Sequence, residues 1–213
     1  MKVKNAVICA AGLGSRLGLD MPKCMVKVGN KRLIYYLLQV LENVPNIRMV
    51  VGFKEEEVIE YVKDIRNDVI FVRNPDYRTT TNSYSLHLGS NDLKEPFLNI
   101  DGDMLITKNN FEHFCNNIND NENLIGITKA YTEDAVYVKL NNDNQVIEFG
   151  RNKLSDYEWN GIAYFATIKI SKHGKYVYQE LEKKLPIKAC EIDSFEIDTP
   201  QDLEYVQRRI NQL

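Results

Sequence analysis

From Cys9 to Lys23 the chain reads CAAGLGSRLGLDMPK, directly after one short apolar run and directly before another apolar segment. Gly12, Gly14 and Gly18 let the backbone take positive φ and bring bare N–H groups against a bulky anion, and Arg16 and Lys23 add fixed positive charge. A triphosphate suits such a loop. The stretch lacks the GK[ST] ending of a P-loop, and its glycines run GxGxxxG rather than the GxGxxG of dinucleotide folds, so neither common phosphate motif fits. The run before it, Lys4 to Ala10, is apolar on both faces, as a central parallel strand is. Open α/β sheets bind ligands at the carboxyl ends of their strands, so position and chemistry agree on a site.

Working outward, Asn30 to Asn43 carries Leu33, Ile34, Leu37, Leu38 and Leu41 at helical spacing, and Pro45 ends it. Ile47 to Phe53 reads as a strand and Glu55 to Arg66 as a helix, acidic first and basic last as its dipole prefers. Val69 to Arg73 is a third strand. This βαβαβ alternation predicts a parallel, doubly wound sheet with right-handed crossovers. The stretch RTTTNSYSL then begins another helix, where Thr81 or Asn82 serves as cap, as reader of a nucleobase edge, or as both.

Phe97 to Ile100 is a fourth strand, and it runs into Asp101-Gly102-Asp103. Carboxylates at the end of a central strand are poorly explained by packing and well explained by a divalent metal, the plainer alternative being a polar turn. Asn109 to Ile118 reads as a helix and Leu124 to Ala130 as a strand. The segments AVYVKL and QVIEF alternate around an NNDN turn, which predicts antiparallel strands extending the sheet. Gly161 to Thr167 is strand-like, Ser171 to Leu185 helical, and in EIDTPQDL Thr199 caps and Pro200 opens a last helix.

With 213 residues, 44% hydrophobic and 27% charged, the chain suits one globular domain spanning residues 1–213. No apolar run approaches the roughly 18 residues of a membrane span, and the N-terminal run is too short for a secretory leader. The four cysteines form no CxxC pair and have no histidine cluster beside them, which predicts a reducing cytoplasm. A net charge of −3 argues against nucleic acid as the main partner.

The opening stretch matches GxG[ST]RxxxxxPK, and it resembles the signature of nucleotidyltransferases of the sugar-nucleotide and cytidylyltransferase type. The IDGD, EWNGIAYF and EIDTPQDL segments are similar to their counterparts in bacterial members of GT-A-like fold, so the resemblance covers nearly the whole chain. It implies a single-domain, Rossmann-like three-layer α/β sandwich with a mixed, mainly parallel sheet and a small antiparallel extension. It further implies that Ala11, Gly12, Gly14, Ser15 and Arg16 hold the triphosphate, and that Lys23, with Arg16, serves catalysis between the α-phosphate and the incoming acceptor phosphate. Asp103 and Asp198 would hold Mg²⁺, with Asp101 behind them or facing the ribose.

The RTTTNSYSL stretch departs from the dTTP and UTP enzymes and resembles the small cytidylyltransferases, which implies CTP, with Thr80, Asn82 and Ser83 as contacts. The implied reaction transfers CMP to a small phosphorylated acceptor, phosphoglutamine first and phosphocholine second, by a monomer or homodimer serving surface polysaccharide modification. Trp159 could belong to a cage for a quaternary ammonium, or simply to the core. Lys139, Arg151 and Lys153 are candidate anchors for the acceptor's phosphate or carboxylate, or solvated surface cations. The alternatives are a sugar-1-phosphate nucleotidyltransferase, a GT-A glycosyltransferase using DGD as its metal motif, and a non-catalytic nucleotide-binding module.

Overall fold

The structure is a computed structural model that describes residues 3–131, 135–152 and 155–209. Its elements are β1 (Asn5–Ala10), β2 (Lys27–Val28), β3 (Lys31–Arg32), α1 (Leu33–Val40), β4 (Asn46–Val51), α2 (Glu55–Ile65), β5 (Ile70–Arg73), α3 (Asn82–Ser90), β6 (Phe97–Asp101) and β7 (Met104–Ile106). There follow α4 (Lys108–Asn116), β8 (Leu124–Lys129), β9 (Tyr137–Leu140), β10 (Gln145–Gly150), β11 (Tyr157–Phe165), α5 (Val177–Glu182), β12 (Ile187–Glu191), β13 (Ser194–Glu196) and α6 (Pro200–Gln207).

The main sheet has the order β5-β4-β1-β6-β11-β8-β12-β10-β9. Its first four strands are parallel, as the βαβαβ alternation requires. β11 enters antiparallel between β6 and β8, and β12 lies parallel to β8. β9 also pairs with the first residues of β11, so the far half of the sheet curls back on itself.

Both faces of the parallel half are covered, which explains why β1 is apolar from Ala6 to Ala10. Ala6, Ile8 and Ala10 share one core with Ile34, Leu37, Val58, Val62, Phe111 and Phe114 of α1, α2 and α4. Val7 and Val50 share another with Leu86 of α3 and Val177 and Leu181 of α5. The result is the three-layer α/β sandwich. Each fully buried leucine of α1 contributes about 1.5–3 kcal/mol by leaving water, and Leu37→Ala would cost about 2–5 kcal/mol with its cavity.

Some boundaries differ from the sequence expectation. The helix expected from Asn30 begins only at Leu33, because Gly29 (φ 58°) turns β2 back onto β3 first. The helix expected over 171–185 is confined to Val177–Glu182: Ser171 to Gly174 forms a turn, with the Gly174 N–H donating to the Ser171 carbonyl at 3.3 Å. β12 and the β7–β13 pair have no counterpart in the sequence reading, since their partners are remote in the chain.

Candidate active site

β1 ends beside two neighbours that shape the loop. Cys9 is level with Asp101 of β6, and the Gly102 N–H donates to the Cys9 carbonyl at 2.9 Å. The glycine loop then folds into a 3-10 turn, Ser15–Leu17, bracketed by Gly14 (φ 63°) and Gly18 (φ 67°) in the left-handed region. Buried Leu17 pins this turn to a small core with Val26, Leu105 and Ile197, while Ser15 and Arg16 stay exposed. A β-carbon on Gly14 would stand 2.9 Å from Cγ of Lys23, so glycine is what lets the lysine stem cross the loop.

The acidic side is assembled by a two-stranded ladder. β7 and β13 are antiparallel with Glu196 opposite Met104, and the Ile197 N–H donates to the Asp103 carbonyl at 3.1 Å. That pairing carries Asp198 to Asp103, and ligand oxygens of Asp103, Glu196 and Asp198 lie within 4.8 Å of one another. The start of α6 holds Asp198 in place: Asp202 Oδ2 accepts from the N–H of Asp198 (3.1 Å) and of Thr199 (2.8 Å). Thr199 caps the helix, accepting from the Asp202 N–H at 3.2 Å, and Pro200 opens it.

Two cations answer these carboxylates. The Lys23 ammonium donates to Asp103 Oδ2 at 2.8 Å and also pairs with Asp198 Oδ1, while Arg16 pairs with Asp198 Oδ2 at 2.7 Å. Asp198 Oδ1 is buried, with the Lys23 ammonium as its ion-pair partner. Burial, then Asp103 and Glu196, push the Asp101 carboxyl well above the usual carboxylate range against the pull of Lys23. Glu196 is reached by solvent but crowded by protein in its recess. Burial there, and then Asp103, push it up to about 7, with Lys23 and Arg16 opposing.

Three convergent carboxylates fit a hard divalent cation. An all-oxygen donor set of this kind suits Mg²⁺ or Mn²⁺ and not a soft metal.

Loop and carboxylates face a cleft of about 300 Å³. Its opposite wall is the start of α3 with the segment before it, contributing Tyr77, Thr80, Thr81, Asn82 and Ser85. Buried Asn74 organises that segment: its Nδ2 donates to Thr80 Oγ1 (3.1 Å) and Ser85 Oγ (3.0 Å), and its Oδ1 accepts from the Asp76 N–H (3.0 Å). Thr81 occupies the N-cap position, but its side chain makes no capping bond. The first N–H groups of α3 therefore have no side-chain cap.

Of the residues singled out in the sequence, Ala11, Gly12, Arg16, Lys23, Thr80, Asn82, Asp101 and Asp103 line this one cleft, and Asp198 is bound beneath Lys23. Gly14 is buried behind the loop, and Ser15 is not among the lining residues. Ser83 does not line the cleft: it is fully buried, and a β-carbon on Gly174 would stand 2.8 Å from its hydroxyl, so it faces the α5 side. Trp159 does not form an open cage. It is 9% exposed in the second core, with its indole N–H donating to the Ile162 carbonyl at 3.0 Å. Lys139 lies exposed on β9 and is not among the residues lining the cleft. Lys153 lies outside the described residues.

Arg151, one of the candidate anchors, does reach the cleft. Sequence reasoning missed Glu196, Tyr77 and Ser85. Glu196 had a legible signal: it precedes Asp198 by two residues, the spacing that puts side chains on one face of an extended segment.

Residues 6–147 match a family model described as the MobA-like NTP transferase domain. The bifunctional protein GlmU of Methanococcus maripaludis is 28% identical over 195 residues, a stretch that covers 89% of this chain but 44% of that protein. The chain thus spans less than half the length of that curated relative. Among solved structures, the inositol-1-phosphate CTP transferase from T. maritima superposes with a TM-score of 0.81 at 20% identity, covering 100% of this chain and 98% of that one. The CTP:phosphocholine cytidylyltransferase of Streptococcus pneumoniae superposes at 0.79 and 24% identity, over 98% and 100% of the two chains. No helix among the described residues is long and apolar enough to cross a membrane.

Proposed function

The chain belongs to the MobA-like NTP transferase family, and from that premise we propose that it transfers CMP from CTP to a small phosphorylated acceptor with release of pyrophosphate. The observation that carries this reading is the bridging of Lys23 between Asp103 and Asp198 at the edge of the glycine loop. Nucleotidyl transfer asks little covalent chemistry of a protein. It needs the phosphates held in line and the developing charge neutralised by fixed cations.

The residues divide that work. Gly12 presents open backbone to the cleft, and Arg16 with the loop holds the β- and γ-phosphates that depart as pyrophosphate. Lys23 leaves its carboxylate partners for the α-phosphate and steadies the charge that builds as the acceptor oxygen attacks phosphorus. Asp103, Asp198 and Glu196 would hold a divalent cation, which when bound would neutralise charge on the phosphate oxygens. Thr80 and Asn82 stand where the nucleobase enters, against the uncapped start of α3.

Support for CTP comes from RTTTNSYSL and from the two superposed structures, both named as CTP enzymes acting on phosphate monoesters. Phosphoglutamine remains ahead of phosphocholine as acceptor, because the buried Trp159 gives a quaternary ammonium no cage. We place the reaction in the cytoplasm, where the free cysteines Cys9, Cys24, Cys115 and Cys190 stay reduced. A glycosyltransferase reading leaves Arg16 and Lys23 without a task.

The test is nucleotide binding by calorimetry, followed by pyrophosphate release with each of four NTPs against phosphoglutamine, phosphocholine, aminoethylphosphonate and sugar 1-phosphates. We expect Mg²⁺-dependent binding that favours CTP, and pyrophosphate only when a phosphorylated acceptor is present. Preference for another NTP, or CTP binding with no pyrophosphate from any acceptor, would overturn the assignment.

A further inference from the structure

The glycine loop side of the cleft is rich in cations, but those cations are committed: Arg16 and Lys23 are ion-paired with Asp103 and Asp198. Arg151 is different. It comes from the turn after β10, in the far half of the sheet, and reaches the same cleft. No carboxylate among the described residues pairs with it. Its guanidinium instead lies over the ring of Tyr176, 4.4 Å from the centroid. That ring is itself braced, stacked on Tyr178 with centroids 5.6 Å apart and planes 15° apart, and Tyr178 leans on Phe149 of β10 at 6.1 Å. Phe149 precedes Arg151 by two residues, so the ledge is tied to the strand that delivers the arginine.

A guanidinium held over an aromatic ring rather than by a carboxylate keeps its N–H groups available, and its planar fork can grip a phosphate with two parallel hydrogen bonds. In-line displacement requires the attacking oxyanion to approach opposite the leaving group. If the loop and Arg16 hold the departing pyrophosphate, the attacking group needs a cation from across the cleft. From these positions we propose that Arg151 is the specificity-determining contact to the acceptor's phosphate, and that Tyr176 is the positioning residue that presents it. This rests on the nucleotidyl-transfer reading for the identity of the anion, but the anion site itself can be tested without turnover.

The probe is inorganic phosphate, titrated by ³¹P nuclear magnetic resonance into the full chain, alone and with saturating CTP and Mg²⁺. In the wild type a phosphate site should persist when CTP fills the loop. Arg151→Ala should weaken that site at least tenfold while CTP affinity changes less than twofold. Arg151→Lys, which keeps charge but loses the planar fork, should fall between. Tyr176→Leu should weaken phosphate severalfold, and Tyr176→Phe, which keeps the ring, should restore it. Arg16→Ala identifies any phosphate held by the loop, which should be the fraction that CTP displaces. The proposal is overturned if the wild type shows no CTP-resistant phosphate site, if Arg151→Ala leaves it intact, or if that variant weakens CTP equally. If CTP does not bind the wild type, the transfer reading fails, and an Arg151-dependent phosphate site measured alone would still stand.

Discussion

A β-carbon placed on Gly161 would stand 2.7 Å from Oδ2 of Asp101. Gly161 has φ 85° and lies at the irregularity where β11 leaves its register with β8 between Trp159 and Ala163. Its carbonyl accepts from Asn99 Nδ2 at 2.9 Å, so the bend is held from the strand that also ends in Asp101. Gly161→Ala should cost about 1–3 kcal/mol of stability from the backbone conformation, and displacement of Asp101 should lower turnover as well. Thermal unfolding and pyrophosphate release measure the two effects, and wild-type values in both would show that the approach is unimportant.

Lys23→Ala removes the cation shared by Asp103 and Asp198. By analogy with the loss of one preorganised stabilising group, turnover should fall on the order of 10² to 10³. Circular dichroism should report the same fold, because the stem of Lys23 lies in the loop and not in either core. Near-normal turnover would remove Lys23 from the mechanism.

The carboxylate trio should make stability metal-dependent. Mg²⁺ or Mn²⁺ at roughly 100-fold above its Kd would stabilise the folded chain by about 2.7 kcal/mol. Asp103→Asn, Asp198→Asn and Glu196→Gln should each weaken Mn²⁺ binding followed by electron paramagnetic resonance, and EDTA should stop pyrophosphate release. Wild-type Mn²⁺ affinity in all three variants would mean that the cation binds elsewhere.

Two thiols remote from the cleft make stability sensitive to alkali. Burial pushes Cys115 up to about 12 and Cys190 up to about 11, from an ordinary thiol value of about 9. Both are held neutral in the fold, whereas the unfolded chain loses their protons first. The folded state therefore binds more protons between these values, and its stability falls as pH rises. This contribution is complete below pH 9 and is lost as pH climbs through 11 to 12. Urea unfolding at neutral pH and near pH 10.5 should show the fall, with a shallower slope in a Cys115→Ala, Cys190→Ala variant. An unchanged slope would mean that other groups dominate.

Much of the near side of the site could be read from residues in order. The positive φ of Gly14 and Gly18, the strand leading into them, and the Thr199-Pro200 start of α6 are short-range matters of backbone freedom, apolar periodicity and capping. Ser83 is absent from the cleft lining because neighbours on a helix point in different directions: Asn82 faces the cleft, and one residue later the side chain turns inward. Trp159 was ambiguous until its strand had neighbours on both sides. The shortened α5 followed from a turn at Gly174 that the apolar spacing around it concealed.

By itself, then, the sequence determined the glycine loop, the parallel half of the sheet and the presence of two acidic segments, because each follows from interactions among residues close in the chain. Only the tertiary structure decided that Glu196 joins Asp103 and Asp198, and that Arg151 lines the same cleft. Those meetings depend on β13 pairing with β7 and on the far half of the sheet curling back on itself. Strand pairing between distant segments is chosen by burial and hydrogen bonding over the whole fold, and no local pattern records that choice.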